Sequence, residues 1–174
     1  ATIVCVNPLY TPREVTHILN DAEPKAIVVL ENFLHVFDNI PAEILPKSMV
    51  VAKATDFFSI LKKPIANFVL KYVKKVIPPY QELSRHISWP NALSLGNGQQ
   101  FNEVRVTAED LAFLQYTGGT TGRSKGAMLT HGNILSNVAQ ATSWVEQFYS
   151  GLDNFRIATP LPLYHIFALT ANLL

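Results

Sequence analysis

The residues best suited to chemistry form one short loop that is rich in glycine and threonine and contains a lysine. The loop runs from Thr117 to Gly126 and reads Thr-Gly-Gly-Thr-Thr-Gly-Arg-Ser-Lys-Gly. Its internal glycines, Gly118, Gly119 and Gly122, allow positive φ angles and a close approach of the backbone to a ligand. Free backbone N–H groups, threonine hydroxyls and a lysine ammonium are the groups that bind phosphate. The loop therefore predicts an anion site suited to nucleotide phosphates.

The spacing of this loop differs from the two commonest phosphate loops. A Walker-type loop requires Gly, four residues and then Gly-Lys-Ser/Thr. After Gly119 and the four residues 120–123 the chain has Ser124 where Gly is required, and Gly126 follows Lys125 where Ser or Thr is required. The dinucleotide pattern G-x-G-x-x-G is absent as well. The alternative, a flexible surface turn with incidental threonines, is disfavoured because the strand-like run 111–116 leads directly into the loop.

Strand-like and helix-like segments alternate along the chain and provide the frame for the loop. The predicted strands are residues 2–6, 26–30, 48–52, 111–116 and 157–159, and the predicted helices follow Thr11, Thr130 and His165 or cover residues 33–40 and 61–76. Thr11-Pro12-Arg13-Glu14 combines an N-cap, a first-turn proline and a first-turn acid. The continuous apolar run 26–30 predicts a strand covered on both faces. We expect an α/β fold with a mainly parallel sheet flanked by helices.

The organisation of the chain changes twice along its length. We expect an α/β segment at 1–56, a helical or irregular connection at 57–106 and a phosphate-loop α/β segment at 107–174. Residues 80–104 show no strong periodicity, which indicates connecting structure. The chain starts inside a strand-like run and stops inside an apolar one, so we expect a fragment of a larger domain.

Composition excludes several classes of protein. Apolar residues make up 48% of the chain and charged residues 16%, which is typical of a globular protein rather than a disordered one. The net charge of +1 gives no indication of nucleic-acid binding. Cys5 is the single cysteine, so no internal disulfide forms, and a cytoplasmic location is favoured. We interpret Cys5 as a small buried hydrophobe, with a reactive thiol as the alternative.

Residues 61–76 combine an apolar helical repeat with a cluster of lysines. The apolar residues are Leu61, Ile65, Phe68, Val69, Tyr72, Val73 and Val76, and the lysines are Lys62, Lys63, Lys71, Lys74 and Lys75. One interpretation is a surface helix with an ordinary core-facing side. The other is a helix that lies on the acidic inner face of a membrane as a peripheral contact. The sequence leaves both open.

The loop and two further blocks resemble a known family. Residues 116–126 are similar to the signature Y-T-S-G-T-T-G-x-P-K-G of the adenylate-forming superfamily, with Gly118 in place of Ser and Ser124 in place of Pro. Residues 7–14, 109–122 and 161–169 resemble bacterial long-chain fatty-acid–CoA ligases. The resemblance covers nearly the whole chain and is weakest from about residue 38 to 103. It implies a partial N-terminal domain of such an enzyme.

The resemblance also implies roles for individual residues. The enzymes of this family use ATP, Mg²⁺ and coenzyme A to convert a fatty acid first into acyl-adenylate and then into acyl-CoA. Thr117 would help to hold Mg²⁺ and the phosphates, and Lys125 would neutralise the leaving pyrophosphate. The cofactor-binding loop would comprise Thr117, Gly118, Gly119, Thr120, Thr121, Gly122, Lys125 and Gly126.

Three residues outside the loop are candidates with two interpretations each. His165 matches the histidine at the wall of the carboxylate and adenylate pocket, which would give it a catalytic role beside Lys125. Its alternative is a helix-start histidine that makes one backbone hydrogen bond. Phe167 packs beside the substrate or in the core. His131 contacts the nucleotide or simply begins a helix, and the second is favoured.

Three functions remain in competition at this point. The first is a segment of a long-chain fatty-acid–CoA ligase whose partners are fatty acid, ATP and coenzyme A. The second is an adenylate-forming enzyme for another carboxylic acid, such as an aryl acid or an amino acid. The third is a stand-alone nucleotide-binding module. We expect the chain alone to be inactive, and exposed apolar surface predicts self-association.

Overall fold

A computed structural model describes residues 1–59, 61–80, 86–118, 123–149, 158, 160–162 and 164–170. The strands are β1 (Ile3–Cys5), β2 (Ala26–Leu30), β3 (Ser48–Ala52), β4 (His86–Ser88), β5 (Leu111–Thr117) and β6 (Lys125–Thr130). The helices are α1 (Pro12–Ala22), α2 (Lys63–Phe68), α3 (Trp89–Gly96), α4 (His131–Tyr149) and α5 (Ile166–Ala168). The chain forms two compact units: residues 1–7 with 103–174, and residues 8–102.

The unit of residues 8–102 contains a parallel sheet with the order β2-β3-β4. Its central strand β3 buries Met49, Val51 and Ala52. Strand β2 alternates between exposed and half-buried residues, and Val28 is 60% exposed. The prediction that residues 26–30 are covered on both faces is therefore wrong for this chain. Strand β2 lies at the edge of the described sheet and is packed on only one face.

Helix α1 begins with the capping interaction that its sequence predicts. The Thr11 backbone N–H donates to Glu14 Oε2 at 2.8 Å, and the Glu14 N–H donates to Thr11 Oγ1 at 3.4 Å. This reciprocal pair satisfies helix-start donors that would otherwise lack partners. The helix buries Val15, Ile18 and Leu19, as its apolar spacing predicts.

Other elements of this unit differ from their predictions. The predicted helix at 33–40 is a 3₁₀ helix, Glu31–Asn39, and the predicted helix at 61–76 is α2 followed by a π-helical segment, Val69–Val73. Residues 80–104, interpreted from the sequence as connecting structure, contain the short elements β4 and α3, which the sequence does not indicate. Both are too short to show periodicity, but Ser88 caps α3 by accepting from the Asn91 N–H at 3.4 Å.

The unit of residues 1–7 and 103–174 contains the sheet β1-β5-β6. Strand β5 is central, parallel to β1 and antiparallel to β6. Together with the other sheet, this confirms the prediction of an α/β fold with mainly parallel pairing. The core of this unit joins the sheet to α4 and to the segment around α5; its buried residues are Ala112, Phe113, Ile134 and Leu169.

Cys5 packs against this core as a half-buried residue. Burial raises the pKa of its thiol, because the thiolate is less well solvated there. Both facts support the interpretation of Cys5 as a small hydrophobe. The predicted strand 157–159 falls almost wholly outside the described residues. Within the described part of the chain, no helix is long and apolar enough to cross a membrane.

Candidate functional site

The Gly/Thr loop joins two antiparallel strands that form a hairpin. Strand β5 ends at Thr117, which pairs with Lys125 at the start of β6, and Tyr116 pairs with Gly126. Lys125 and Gly126 thus begin a strand that the sequence does not predict, so their placement in the loop is wrong. Strand β6 was missed because its apolar residues are few and follow a glycine.

Thr117 and Lys125 project from the same face of the hairpin because residues directly opposite each other in an antiparallel pair share a face. Both side chains are exposed. The ion pairs Lys53–Glu31 and Lys63–Asp56 do not involve Lys125, and no described carboxylate pairs with it. The mouth of the loop therefore presents a hydroxyl beside an ammonium group that no described carboxylate neutralises. This pair suits an anionic ligand.

The described glycines of the loop differ in what they allow. Gly118 has no positive φ, and a Cβ added there would meet no atom within 4 Å. Gly118 thus leaves open space at the mouth of the loop. It does not adopt the positive φ angle that we expected. Gly119, Thr120, Thr121 and Gly122 lie outside the described residues.

Gly126 is needed for a different reason. A Cβ at this position would lie 3.1 Å from Cζ of the Tyr116 ring, which is closer than an ordinary contact. Tyr116 is only 5% exposed and has little room to move. Gly126 therefore lets the ring of its cross-strand partner Tyr116 pack against the start of β6.

The start of α4 lies after β6, and its backbone donors are used within the protein. The Asn133 N–H donates to Thr130 Oγ1 at 3.1 Å, as the predicted N-cap requires. The N–H groups of His131 and Gly132 donate to carbonyl oxygens of the turn 107–110 at 3.0 and 2.8 Å. These bonds leave the helix start poorly suited to bind phosphate, and they favour the structural interpretation of His131.

The turn that anchors α4 contains an unusually acidic carboxyl group. The Thr107 backbone N–H and hydroxyl donate to Asp110 Oδ2 at 2.6 and 3.0 Å. These hydrogen bonds hold the pKa of Asp110 below its usual range, with a smaller contribution from His131. Asp110 thus acts in the fold as the fixed acceptor that closes the turn before β5.

His165 stands at the start of α5 and makes the backbone hydrogen bond that its structural interpretation predicts. Its Nδ1 accepts from the Phe167 N–H at 3.3 Å, and its ring is exposed. In a neutral ring with Nδ1 as acceptor, the proton is on Nε2, which points the donor away from the helix. The cap therefore also fixes which nitrogen can meet a ligand. Phe167 is 62% exposed and is not part of the described core.

Gln115 connects two parts of the candidate site, and the motifs of the sequence do not single it out. Its Nε2 donates to the Tyr164 carbonyl oxygen at 3.1 Å, immediately before His165. Gln115 and Thr117 are two residues apart on β5, so they share a face of the sheet. The structure thus brings the His165 segment to the face that carries Thr117 and Lys125. A polar residue inside an otherwise apolar strand was the available signal.

The described residues offer a limited donor set for a divalent cation. They contain no cluster of three or more His, Cys, Asp or Glu side chains that could hold a metal. Thr117 supplies one neutral oxygen at the loop mouth. Magnesium keeps several water ligands and is commonly completed by substrate phosphates, so one hydroxyl fits as a single contributor to such a site.

Comparisons with known proteins place the chain as a whole in a family. The family model described as AMP-binding enzyme matches residues 1–174. The chain is 45% identical over 173 residues to a long-chain-fatty-acid–CoA ligase of Salmonella typhimurium, covering 99% of this chain and 30% of the ligase. It is 46% identical over 172 residues to the corresponding ligase of Haemophilus influenzae, covering 98% of this chain and 30% of the ligase.

A solved structure shares the fold. The luciferase-like enzyme of the mealworm Zophobas morio superposes with a TM-score of 0.61 at 18% identity, over 98% of this chain and 32% of that protein. The chain spans about 30% of the length of the ligases that it matches. Because the family model matches from the first residue to the last, the chain belongs to the family of AMP-binding enzymes.

Proposed function

We propose that this chain is the phosphate-loop part of the N-terminal domain of an ATP-dependent long-chain fatty-acid–CoA ligase. The observation that carries the proposal is the exposed Thr117–Lys125 pair at the mouth of the Gly/Thr loop, in a chain 45% identical to such a ligase over 173 residues. The assignment of residues 1–56, 57–106 and 107–174 to one AMP-binding domain is part of the same proposal.

The proposed reaction has two transfers. A carboxylate oxygen of the fatty acid attacks the α-phosphorus of ATP, and the bond to the bridging oxygen breaks to release pyrophosphate. The thiolate of coenzyme A then attacks the acyl carbonyl carbon, and AMP leaves. The first transfer moves negative charge onto the departing pyrophosphate, so catalysis consists largely of positioning and charge neutralisation.

Lys125 supplies that neutralisation in the proposal. Its ammonium group is uncompensated by any described carboxylate, and it stands on a strand rather than on a flexible turn. The residues Gly118, Gly119, Thr120, Thr121, Gly122 and Gly126 would let the backbone wrap the β- and γ-phosphates. Thr117 would contribute one oxygen to Mg²⁺, which supplies further charge neutralisation when bound.

His165 acts at the carboxylate end of the site in this proposal. Its Nδ1 is occupied by the Phe167 N–H, so Nε2–H is the group left to donate a hydrogen bond. A donor aimed at an acyl or phosphate oxygen would orient the acid for attack. The link through Gln115 to β5 supports a location near Thr117.

The test uses the intact enzyme in fatty-acid-dependent ATP–pyrophosphate exchange. A panel of long-chain fatty acids, an aryl acid and amino acids should show exchange with the fatty acids. Exchange with an aryl acid or an amino acid in place of the fatty acids would establish the alternative, an adenylate-forming enzyme for another acid. Coenzyme A should then convert the adenylate to a thioester, as detected by mass spectrometry.

The isolated 174-residue chain provides a separate test. We expect it to release no pyrophosphate with fatty acid and to associate with itself through exposed apolar residues such as Val28, which is 60% exposed. Sedimentation velocity measures the association. A stable monomer that binds ATP tightly would favour the stand-alone nucleotide-binding module instead.

A peripheral contact with the inner face of the cytoplasmic membrane also belongs to the proposed function. The helical residues Ile65, Phe68 and Tyr72 are 59 to 70% exposed and recur at helical spacing. The stretch 62–76 contains five lysines and no acidic residue. Lys63 pairs with Asp56 at 2.7 Å, and the other four have no ion pair with a described residue. An exposed apolar face with uncompensated lysines matches an anionic lipid surface.

Co-sedimentation of the intact enzyme with vesicles tests this contact. Vesicles with anionic phosphatidylglycerol should bind the enzyme, and uncharged phosphatidylcholine vesicles should bind it much less. Changing Lys71, Lys74 and Lys75 to Glu should abolish the difference. The matched control makes the same charge change at the exposed Lys25, Lys47 and Arg105 and should keep the binding. Equal binding by both triple variants would overturn the membrane contact.

A further inference from the structure

The hydrogen bond between Gln115 and Tyr164 connects two parts of the candidate site. Gln115 lies in the middle of β5, paired on one side with Cys5 of β1 and on the other with Ala127 of β6. It is thus held by two neighbouring strands. Its side chain in turn holds the backbone directly before His165, because Nε2 donates to the Tyr164 carbonyl oxygen at 3.1 Å.

The segment that receives this bond also makes backbone hydrogen bonds of its own. The His165 N–H donates to the Pro162 carbonyl, and the Leu169 N–H donates to the His165 carbonyl, so both bonds stay within the segment. Leu169 fixes its far end in the apolar core. Gln115 fixes the near end, where the imidazole is attached.

Folding energy alone does not explain a glutamine at this position. Its Oε1 is buried and has no hydrogen-bond partner among the described residues. A buried amide with one unsatisfied atom is less favourable than an apolar side chain of similar size. Departures of this kind from the rules of folding concentrate at functional sites. The bond made by Nε2 is the remaining reason for a polar side chain in this strand.

We propose that Gln115 is a positioning residue that holds His165 in place relative to Thr117 and Lys125. The proposal rests on the proposed function, since it assigns His165 and the phosphate loop to one reaction. Gln115 touches neither nucleotide nor acid in this role. It acts through the Tyr164 peptide, so its loss should displace the imidazole while leaving the loop on β5 in place.

A double-mutant cycle in the intact enzyme tests the proposal. Gln115→Leu removes the bond, and Gln115→Glu keeps the shape but removes the donor. Both should lower kcat for pyrophosphate release on the order of 10-fold, with the KM for ATP nearly unchanged, because a misplaced group slows the reaction without weakening phosphate binding. In a His165→Ala background, Gln115→Leu should have almost no further effect. Equal losses in both backgrounds would overturn the proposal.

A matched control and a second measurement separate this idea from the proposed function. Gln140→Leu makes the same chemical change at an exposed position of α4 and should leave kcat unchanged. Deuterium exchange needs no activity: peptides covering residues 160–170 should exchange faster in Gln115→Leu, and peptides from α4 should not. If the unaltered enzyme activates no acid, the proposed function fails and the exchange result still decides whether Gln115 holds the segment. Unchanged deuterium exchange in peptides covering residues 160–170 would show that Gln115 does not hold this segment.

Discussion

Thr117 and Lys125 lie directly opposite each other across the β5–β6 hairpin, at the two ends of the Gly/Thr loop. Cross-strand partners share a face, so the hydroxyl and the ammonium group are presented together. The strands on either side fix this pair more firmly than a loop would. A phosphate bound at the loop would therefore meet a preformed positive end.

Lys125 is expected to control the pyrophosphate-forming step. Lys125→Met keeps the length of the side chain but removes the charge, and we expect pyrophosphate exchange to fall on the order of 100-fold, as for other single groups that stabilise developing charge. Lys125→Arg should retain more activity than Lys125→Met. Stability should change little, because the side chain is exposed. Lys25→Met is the control for a lost surface lysine, and an undiminished rate in Lys125→Met would contradict the assigned role.

Gly126→Ala is expected to destabilise the hairpin. The new methyl group would lie 3.1 Å from the buried Tyr116 ring, so the ring or the strand must shift. Overpacking of this kind costs about 1–3 kcal/mol in the free energy of unfolding. Thermal unfolding of the intact enzyme should show a lower midpoint.

Gly118→Ala is the matched control for this effect. It adds the same methyl group at the other end of the loop, where no atom lies within 4 Å and φ is not positive. Its unfolding midpoint should match that of the unaltered enzyme. A similar midpoint for both alanine variants would show that the Tyr116 ring moves freely.

The parts of the fold that the sequence predicted well have local physical signatures. Helix α1 was predicted to the residue at its start because Thr11 and Glu14 form a capping pair that depends only on neighbouring residues. The N-cap at Thr130 was predicted for the same reason. Strand β5 was evident from its mainly apolar run, and so was the loop that follows it.

The missed features depend on residues far apart in the chain. Strand β6 exists because residues 125–130 pair with β5, although their own composition is ambiguous. The exposure of Val28 depends on which elements pack against β2, and the sequence of β2 alone does not predict them. Gln115 and Tyr164 are 49 residues apart, so their hydrogen bond becomes visible only in three dimensions. The loop after β5 was thus predictable from the sequence, while the link between β5 and the His165 segment was not.

Cys5 should react slowly with alkylating reagents. Burial against the β1–β5 core raises the pKa of its thiol, and the thiolate is the reactive species. At pH 8 iodoacetamide should modify Cys5 more slowly in the folded protein than in urea, as followed by mass spectrometry of the peptide that contains it. Equal rates in the two conditions would restore the alternative of an accessible, reactive thiol.

Asp110 should make the stability of the unit of residues 1–7 and 103–174 depend on pH in the acid range. Its pKa is held below the ordinary value of 3.8 by hydrogen bonds from Thr107, so the folded state favours the ionised carboxylate. The stabilisation is present above the ordinary value and is lost as pH falls through the lower, folded-state pKa. Urea unfolding of the intact enzyme at pH values from 3 to 7 measures this contribution to the free energy of unfolding. Asp110→Asn should be less stable at pH 7, with the difference shrinking towards pH 3. Glu109→Gln removes a neighbouring carboxylate that takes no part in these bonds and should preserve the profile, whereas a constant difference for Asp110→Asn at every pH would show that ionisation plays no part.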